Sequence, residues 1–201
     1  MNENNILGVI LAGGKSRRFG SDKTKAQLAG KTLMDHTIGK LENEFKEILI
    51  VSNDKTLSFE QEKIFTTPDI IDGQLGPLVG VLSAMIWAKK NNYNWIFTFP
   101  CDTPLFNKTI IFEAKNKINN SPKNLLFIKS GSKRHNIFGI WSIKLIDELK
   151  KDVESGTRKV EDWADKMNAD ILEIREDKKN NFLNINSLEE LKKAEKFYEQ
   201  I

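Results

Sequence analysis

An unbroken apolar run, Ile6 to Ala12, ends on the pair Gly13-Gly14 and passes straight into a stretch carrying Lys15, Arg17, Arg18, Lys23 and Lys25. A short run with no polar alternation reads as a strand buried on both faces, which places it inside a parallel sheet covered by helices. Paired glycines let the backbone turn sharply and approach a ligand closely. Successive backbone N–H groups in such a turn form an anion-binding concavity, and the five cations crowd positive charge around it. A triphosphate needs this combination. The competing reading is a tight strand-to-helix turn with a solvated basic face.

Two familiar phosphate loops do not fit. A P-loop requires G-x-x-x-x-G-K-[ST]. Gly14-Lys15-Ser16 supplies its end, but Val9 stands where the first glycine belongs and Gly8 is one residue out. The G-x-G-x-x-G dinucleotide fingerprint is not supplied by the loop either.

The rest of the chain alternates in the same manner. Strands are predicted at Glu47–Ser52, Ile64–Thr67, Trp95–Phe99, Leu125–Lys129, Ile137–Trp141 and Ile171–Ile174. Helices are predicted over Thr32–Leu41, from Pro77 through Ala88, over Lys108–Ile118, up to about Lys150, and over Thr157–Met167. Pro77 tolerates the first helical position. A last helix opens at Ser187, with Glu190 three residues on as a capping box, and runs through Leu188, Leu191, Ala194 and Phe197. This pattern predicts an α/β fold, a three-layer sandwich with a mostly parallel central sheet, in one domain over 1–201. Such sheets place ligands beyond the carboxyl ends of their strands, at a topological switch point.

Composition narrows the partners. Thirty-one Lys and Arg against 28 Asp and Glu give a net charge of only +3, with no block of like charge that suggests a nucleic-acid arm. The single cysteine, Cys101, rules out an intramolecular disulfide and suits a reducing compartment. No segment approaches the apolar length of a membrane span. The expectation is a cytoplasmic protein that binds neither nucleic acid nor membrane.

A second chemical signal is the stretch Phe97 to Phe106, FTFPCDTPLF. Asp102 follows a strand, and Pro100 and Pro104 restrict the backbone around it. Mg²⁺ prefers one or two carboxylates together with substrate phosphates and waters, so Asp102 is the candidate Mg²⁺ ligand. Its other reading is a turn-former before Thr103-Pro104. Cys101 beside it reads as a small buried residue, since neither His36 nor His135 is linked to it in sequence. A third signal is the stretch Thr67 to Ala84, in which Asp69 precedes Gly76-Pro77-Leu78 and Gly80 at the opening of a helix. The plain reading of Gly80 is helix packing.

These motifs carry a resemblance. Leu11-Ala12-Gly13-Gly14, then Arg18-Phe19-Gly20, then Asp22-Lys23, are similar to the signature of sugar-phosphate-type nucleotidyltransferases. The segment from Asp69 to Gly80, the Pro100-Cys101-Asp102-Thr103-Pro104 stretch and Phe182-Leu183-Asn184-Ile185-Asn186-Ser187 resemble the molybdenum cofactor guanylyltransferase branch. Gly156-Thr157-Arg158-Lys159-Val160 resembles that branch's basic turn. Thr32 departs from the pattern, standing where the family usually has proline, and Val51-Ser52-Asn53 replaces a frequent N-x-N.

The resemblance implies a Rossmann-like sandwich and transfer of GMP from GTP to molybdopterin-bound molybdenum cofactor. Leu11, Ala12, Gly13, Gly14, Arg18 and Lys23 would hold the triphosphate. Asn53, Asp69 and Gly80 would lie against base and ribose, and Asp102 would carry Mg²⁺. Arg158, Lys159, Asn184 and Asn186 are the candidates for the pterin side. Whether Asp69 reads the base or the ribose stays open, with Asp72 as its rival. Molybdenum cofactor delivery proteins are the further partners the resemblance suggests. Two other readings are kept: a CTP-using transferase for a sugar or polyol phosphate, and a non-catalytic nucleotide-binding module.

Overall fold

The computed structural model describes residues 5–13, 26–59, 61–71, 73, 76–175 and 182–198. Seven strands form the central sheet: β1 (Ile6–Leu11), β4 (Ile48–Val51), β5 (Ile64–Thr67), β6 (Trp95–Pro100), β7 (Leu125–Ser130), β8 (Lys133–Ser142) and β9 (Asp170–Ile174). Two-residue strands β2 (Gln27–Leu28) and β3 (Lys31–Thr32) make a small separate hairpin. The helices are α1 (Leu33–Leu41), α2 (Pro77–Lys90), α3 (Thr109–Asn119), α4 (Ile146–Glu154), α5 (Val160–Lys166) and α6 (Leu188–Tyr198).

The sheet order is β5-β4-β1-β6-β8-β7-β9. All neighbours pair in parallel except around β8, which is antiparallel to both β6 and β7. From β1 the chain moves outward to β4 and β5, then returns to the other side of β1 as β6. The switch point therefore lies between β1 and β6, the strands that end in the glycine loop and in Asp102. The expected three-layer sandwich is what the chain forms.

The two faces of the sheet follow from period-two alternation. Leu7, Val9, Leu49, Val51 and Ile96 face one core, under α2, α4 and α5. Ile6, Ile10, Ile48, Ile50, Phe97 and Phe99 face the other, under α1 and α3. Helix α2 is buried almost all round, from Leu78 to Met85, because it lies between the sheet and α4. Gly8, the residue one place out of P-loop register, has a packing role instead. A Cβ there would come within 2.8 Å of the Phe45 ring.

Thr32 shows what replaces the family's usual proline. It is the N-cap of α1, accepting from the Asp35 amide while Asp35 accepts from the Thr32 amide, a complete capping box. The Ser187–Glu190 cap also forms: the Glu190 amide donates to Ser187 Oγ at 3.2 Å, while the Glu190 carboxylate accepts from the Asn186 amide at 2.7 Å.

Three details depart from the sequence reading. Strand β8 starts at Lys133, not Ile137, because a register shift against β7 at Phe127/Ile128 lets pairing resume beyond an irregularity. Leu188 is not on the packing face of the last helix. It is 59% exposed, whereas Leu191, Ala194 and Phe197 pack against Leu28, Leu33, Leu105 and Ile185. The β2–β3 hairpin had no alternating signal long enough to be read.

Candidate functional site

The carboxyl ends of the parallel strands bring Leu11, Ala12, Gly13, Asn53, Asp69 and Asp102 to one edge of the sheet. Leu11 ends β1, and Ala12 continues it, its amide donating to the Val51 carbonyl at 3.0 Å. Gly13 follows, exposed. No described atom lies within 4 Å of the position a Gly13 Cβ would take, so nothing in the described packing requires glycine there. Gly14, Arg18 and Lys23 lie outside the described residues.

Beyond β4 and β5, Asn53 and Asp69 meet. Asn53 Nδ2 donates to Asp69 Oδ2 at 2.9 Å, and the Asp69 amide donates to Asn53 Oδ1 at 2.9 Å. Partial burial pushes the Asp69 carboxyl above its ordinary value, against the opposing effect of the Asn53 hydrogen bond. Gly80 lies in the first turns of α2 directly behind this pair. A Cβ on it would sit 3.4 Å from Leu11 Cδ2 and 3.5 Å from Asp69 Oδ1. Leu11, Asn53, Asp69 and Gly80 are thus one cluster, drawn from four separate segments. The segment after Asp69 is tied down by Ser83, whose Oγ accepts from the Ile70 amide at 2.9 Å.

Asp102 stands across the switch point. The Cys101 amide donates to the Leu11 carbonyl, at 3.3 Å, which joins the Asp102 turn to the base of the glycine loop. Thr103 Oγ1 donates to Asp102 Oδ1 at 3.1 Å and also contacts Asn184 Oδ1. The Asp102 carbonyl accepts from the Ile185 amide at 2.8 Å. The C-terminal segment therefore returns to the metal candidate, 82 residues away in sequence for Asn184. Cys101 is buried, in keeping with a packing role.

Among the described residues no group of three or more His, Cys, Asp or Glu side chains could enclose a metal by itself. One half-buried carboxylate at a strand end fits a magnesium ion that takes its other ligands from phosphates and water. It does not fit a structural metal.

The four pterin-side candidates separate into two pairs. Asn184 and Asn186 flank Ile185, which is buried with Leu28 and Leu33 beside α1. Arg158 and Lys159 lie between α4 and α5, on the α2 side of the sheet. The Arg158 guanidinium donates to the Val153 carbonyl at 2.6 Å and to the Thr157 carbonyl at 2.9 Å, closing the end of α4. Its backbone carbonyl lies 3.4 Å from where a Gly76 Cβ would be, so the basic turn abuts the start of α2. Lys159 is exposed and N-caps α5.

The sequence reading passed over two members of this region, Thr103 and His135. Thr103 is 1% exposed and bridges Asp102 to Asn184. His135 is 8% exposed, accepts or donates through Nε2 at 2.7 Å to Ser130 Oγ, and stacks on Phe182. Neither sits at a spacing that sequence alone would flag.

The pattern described as "MobA-like NTP transferase domain" matches residues 8–170, most of the chain and all the strands from β4 to β8. The chain belongs to the MobA-like NTP transferase family. Among its relatives are molybdenum cofactor guanylyltransferases of Shewanella putrefaciens, 31% identical over 92% of this chain and 93% of that protein, and of Haemophilus influenzae, 30% identical over 94% and 97%. Molybdopterin-guanine dinucleotide biosynthesis protein A from Archaeoglobus fulgidus shares the fold, with a TM-score of 0.79 at 21% identity over 97% of this chain and 100% of that one. So does 4-diphosphocytidyl-2C-methyl-D-erythritol synthase from Anaerococcus prevotii, with a TM-score of 0.74 at 12% identity over 98% and 97%. At those identities the family fold alone is shared, and sequence separates its branches.

Proposed function

We propose that this nucleotidyltransferase transfers GMP from GTP to molybdopterin-bound molybdenum cofactor, forming the guanine dinucleotide and releasing pyrophosphate. The observation that carries the reading is the meeting of Leu11, Asn53, Asp69 and Gly80 on one side of the switch point with Asp102 on the other, in a chain about 30% identical to molybdenum cofactor guanylyltransferases. The chain works as one nucleotidyltransferase domain over 1–201.

In this reading an oxygen of the pterin's terminal phosphate attacks the α-phosphorus of GTP, and the bond from that phosphorus to the bridging oxygen breaks to release pyrophosphate. A phosphate nucleophile is already ionised, so no side chain must act as general base. The protein's work is to align two anions and offset the charge that develops between them. The Gly13 and Gly14 amides, Arg18 and Lys23 take the triphosphate, which makes Arg18 and Lys23, with Asp102, the catalytic candidates. Asn53, Asp69 and Gly80 take the nucleoside. Asp102 would hold Mg²⁺, which would supply Lewis-acid neutralisation of phosphate charge. Arg158, Lys159, Asn184 and Asn186 are the groups for the pterin side, with Arg158 also closing the end of α4.

GTP and the molybdopterin-type cofactor are the substrates, with molybdenum cofactor delivery proteins as partners and the cytoplasm as the place of work. No described helix is long and apolar enough to cross a membrane. A thermal-shift panel of GTP, CTP, ATP and UTP with Mg²⁺ tests the nucleotide. A ligand that binds only the folded state stabilises it by about 2.7 kcal/mol at one hundred times its Kd. GTP is expected to give the largest shift. A larger shift with CTP would overturn the reading.

A further inference from the structure

Between the sheet and the C-terminal segment lies an aromatic contact that no step of the transfer uses. The imidazole of His135, on β8, stacks on the ring of Phe182 with centroids 3.8 Å apart and planes 18° from parallel. Phe138 closes the box edge-on to both, 6.3 Å from His135 and 5.0 Å from Phe182. His135 is itself held by Ser130 Oγ at 2.7 Å. Phe182 stands two residues before Asn184, and the segment makes its next attachment at Asp102 and Thr103.

We infer that His135 is a positioning residue for the pterin-side segment: by stacking on Phe182 it fixes where Asn184 and Asn186 stand relative to Asp102. The inference rests on the proposed function for the identity of the second substrate. Its physical basis is the attachment pattern. The segment is pinned at one end by the ring stack and in the middle by the Ile185–Asp102 hydrogen bond, with Asn184 between the two pins. Losing the first pin lets Asn184 swing about the other, and a small misplacement of a binding group lowers the rate without unfolding anything. A stacked aromatic pair of this kind is enough to hold a short segment but not to hold a domain. Burial, with the nearby Lys133 charge adding to it, keeps the imidazole pKa at about 4, so the ring that stacks is the neutral one.

The experiment compares wild type with His135→Ala, His135→Phe, Phe182→Ala and the double alanine variant in full-length protein. Three readouts are taken: GTP affinity by calorimetry, steady-state kcat and KM for the pterin substrate, and amide hydrogen exchange across 182–186 without ligand. Expected are GTP affinity within about twofold of wild type, a fall of about tenfold in kcat/KM for the pterin, and no further loss in the double variant. His135→Phe should restore the pterin kinetics, and exchange at the Ile185 amide should quicken in both single alanine variants. Unchanged pterin kinetics in His135→Ala would overturn the inference, as would a loss that His135→Phe fails to restore. If wild type does not use GTP, the proposed function fails, while the exchange comparison still decides whether His135 holds the segment.

Discussion

Asn53 and Asp69, sixteen residues apart, each donate one hydrogen bond to the other, and both bonds are 2.9 Å long. The pair fixes the carboxylate beyond the ends of β4 and β5, where partial burial raises its pKa. A carboxylate with a raised pKa costs the folded state stability as pH rises from its ordinary value through the raised one, and a neutral amide in its place would not. Asp69→Asn keeps an oxygen for Asn53 Nδ2 and keeps the backbone bond to Asn53 Oδ1. We expect it to fold at least as stably as wild type at neutral pH, measured by urea unfolding. Its preference for GTP over ATP should fall, because guanine's ring N–H and exocyclic amine lose a common anionic acceptor. Asp72→Asn is the comparison variant, since Asp72 is the rival carboxylate three residues on. Retained GTP preference in Asp69→Asn would remove Asp69 as the guanine reader.

Asp102 contributes differently through its two ends. Its backbone carbonyl holds the Ile185 amide, and its carboxylate accepts from Thr103. Asp102→Asn leaves the first contact untouched and keeps an acceptor for the second. Circular dichroism should therefore be unchanged, while turnover falls by about 10²–10³, the scale seen when one group stabilising transition-state charge is removed. A Mg²⁺ titration of residual activity should no longer saturate. Near wild-type turnover would mean the metal is held elsewhere.

Gly80 separates packing from ligand contact. The methyl of Gly80→Ala would sit at ordinary contact distance from Leu11 and Asp69. Replacing glycine by alanine inside a helix stabilises by about 0.5–1 kcal/mol. The expected result is a slightly raised Tm with weakened GTP binding in calorimetry. Unchanged GTP affinity would make Gly80 a packing glycine only.

His135 predicts an acid sensitivity. Its pKa is lowered in the folded chain from an ordinary 6.5 to about 4, first by burial and then by Lys133. Between those values the unfolded chain takes up a proton that the folded chain does not, so stability falls as pH drops through this window. Above about pH 6.5 the effect is absent. His135→Phe should flatten this part of the stability curve in denaturant titrations from pH 7 to pH 4. A curve that keeps its slope would assign the acid sensitivity to another group.

The fold was legible because buried parallel strands write themselves as short apolar runs. Ile6–Leu11, Ile48–Val51 and Trp95–Pro100 fall where those runs stand. The placement of Gly13, Asp69 and Asp102 at strand ends was legible because a glycine or a carboxylate closely follows a predicted strand there. Contacts between distant segments were not legible. Nothing local to Thr103 announces that its hydroxyl reaches Asn184, and nothing local to His135 announces Phe182. The irregular register of β8 hid for the same reason, since a bulge is set by the partner strand. Arg158 has a structural contact its basic motif does not announce: its guanidinium donates to the carbonyls at the end of α4.

The most direct measurement is single-turnover product analysis with molybdopterin-bound molybdenum cofactor, Mg²⁺ and either GTP or CTP labelled at the α-phosphate. The account predicts that label from GTP appears in a pterin guanine dinucleotide, with one pyrophosphate released per dinucleotide, and that CTP reacts slower by at least about a hundredfold. Equal or faster transfer from CTP, or label from GTP that never enters the pterin product, would contradict it.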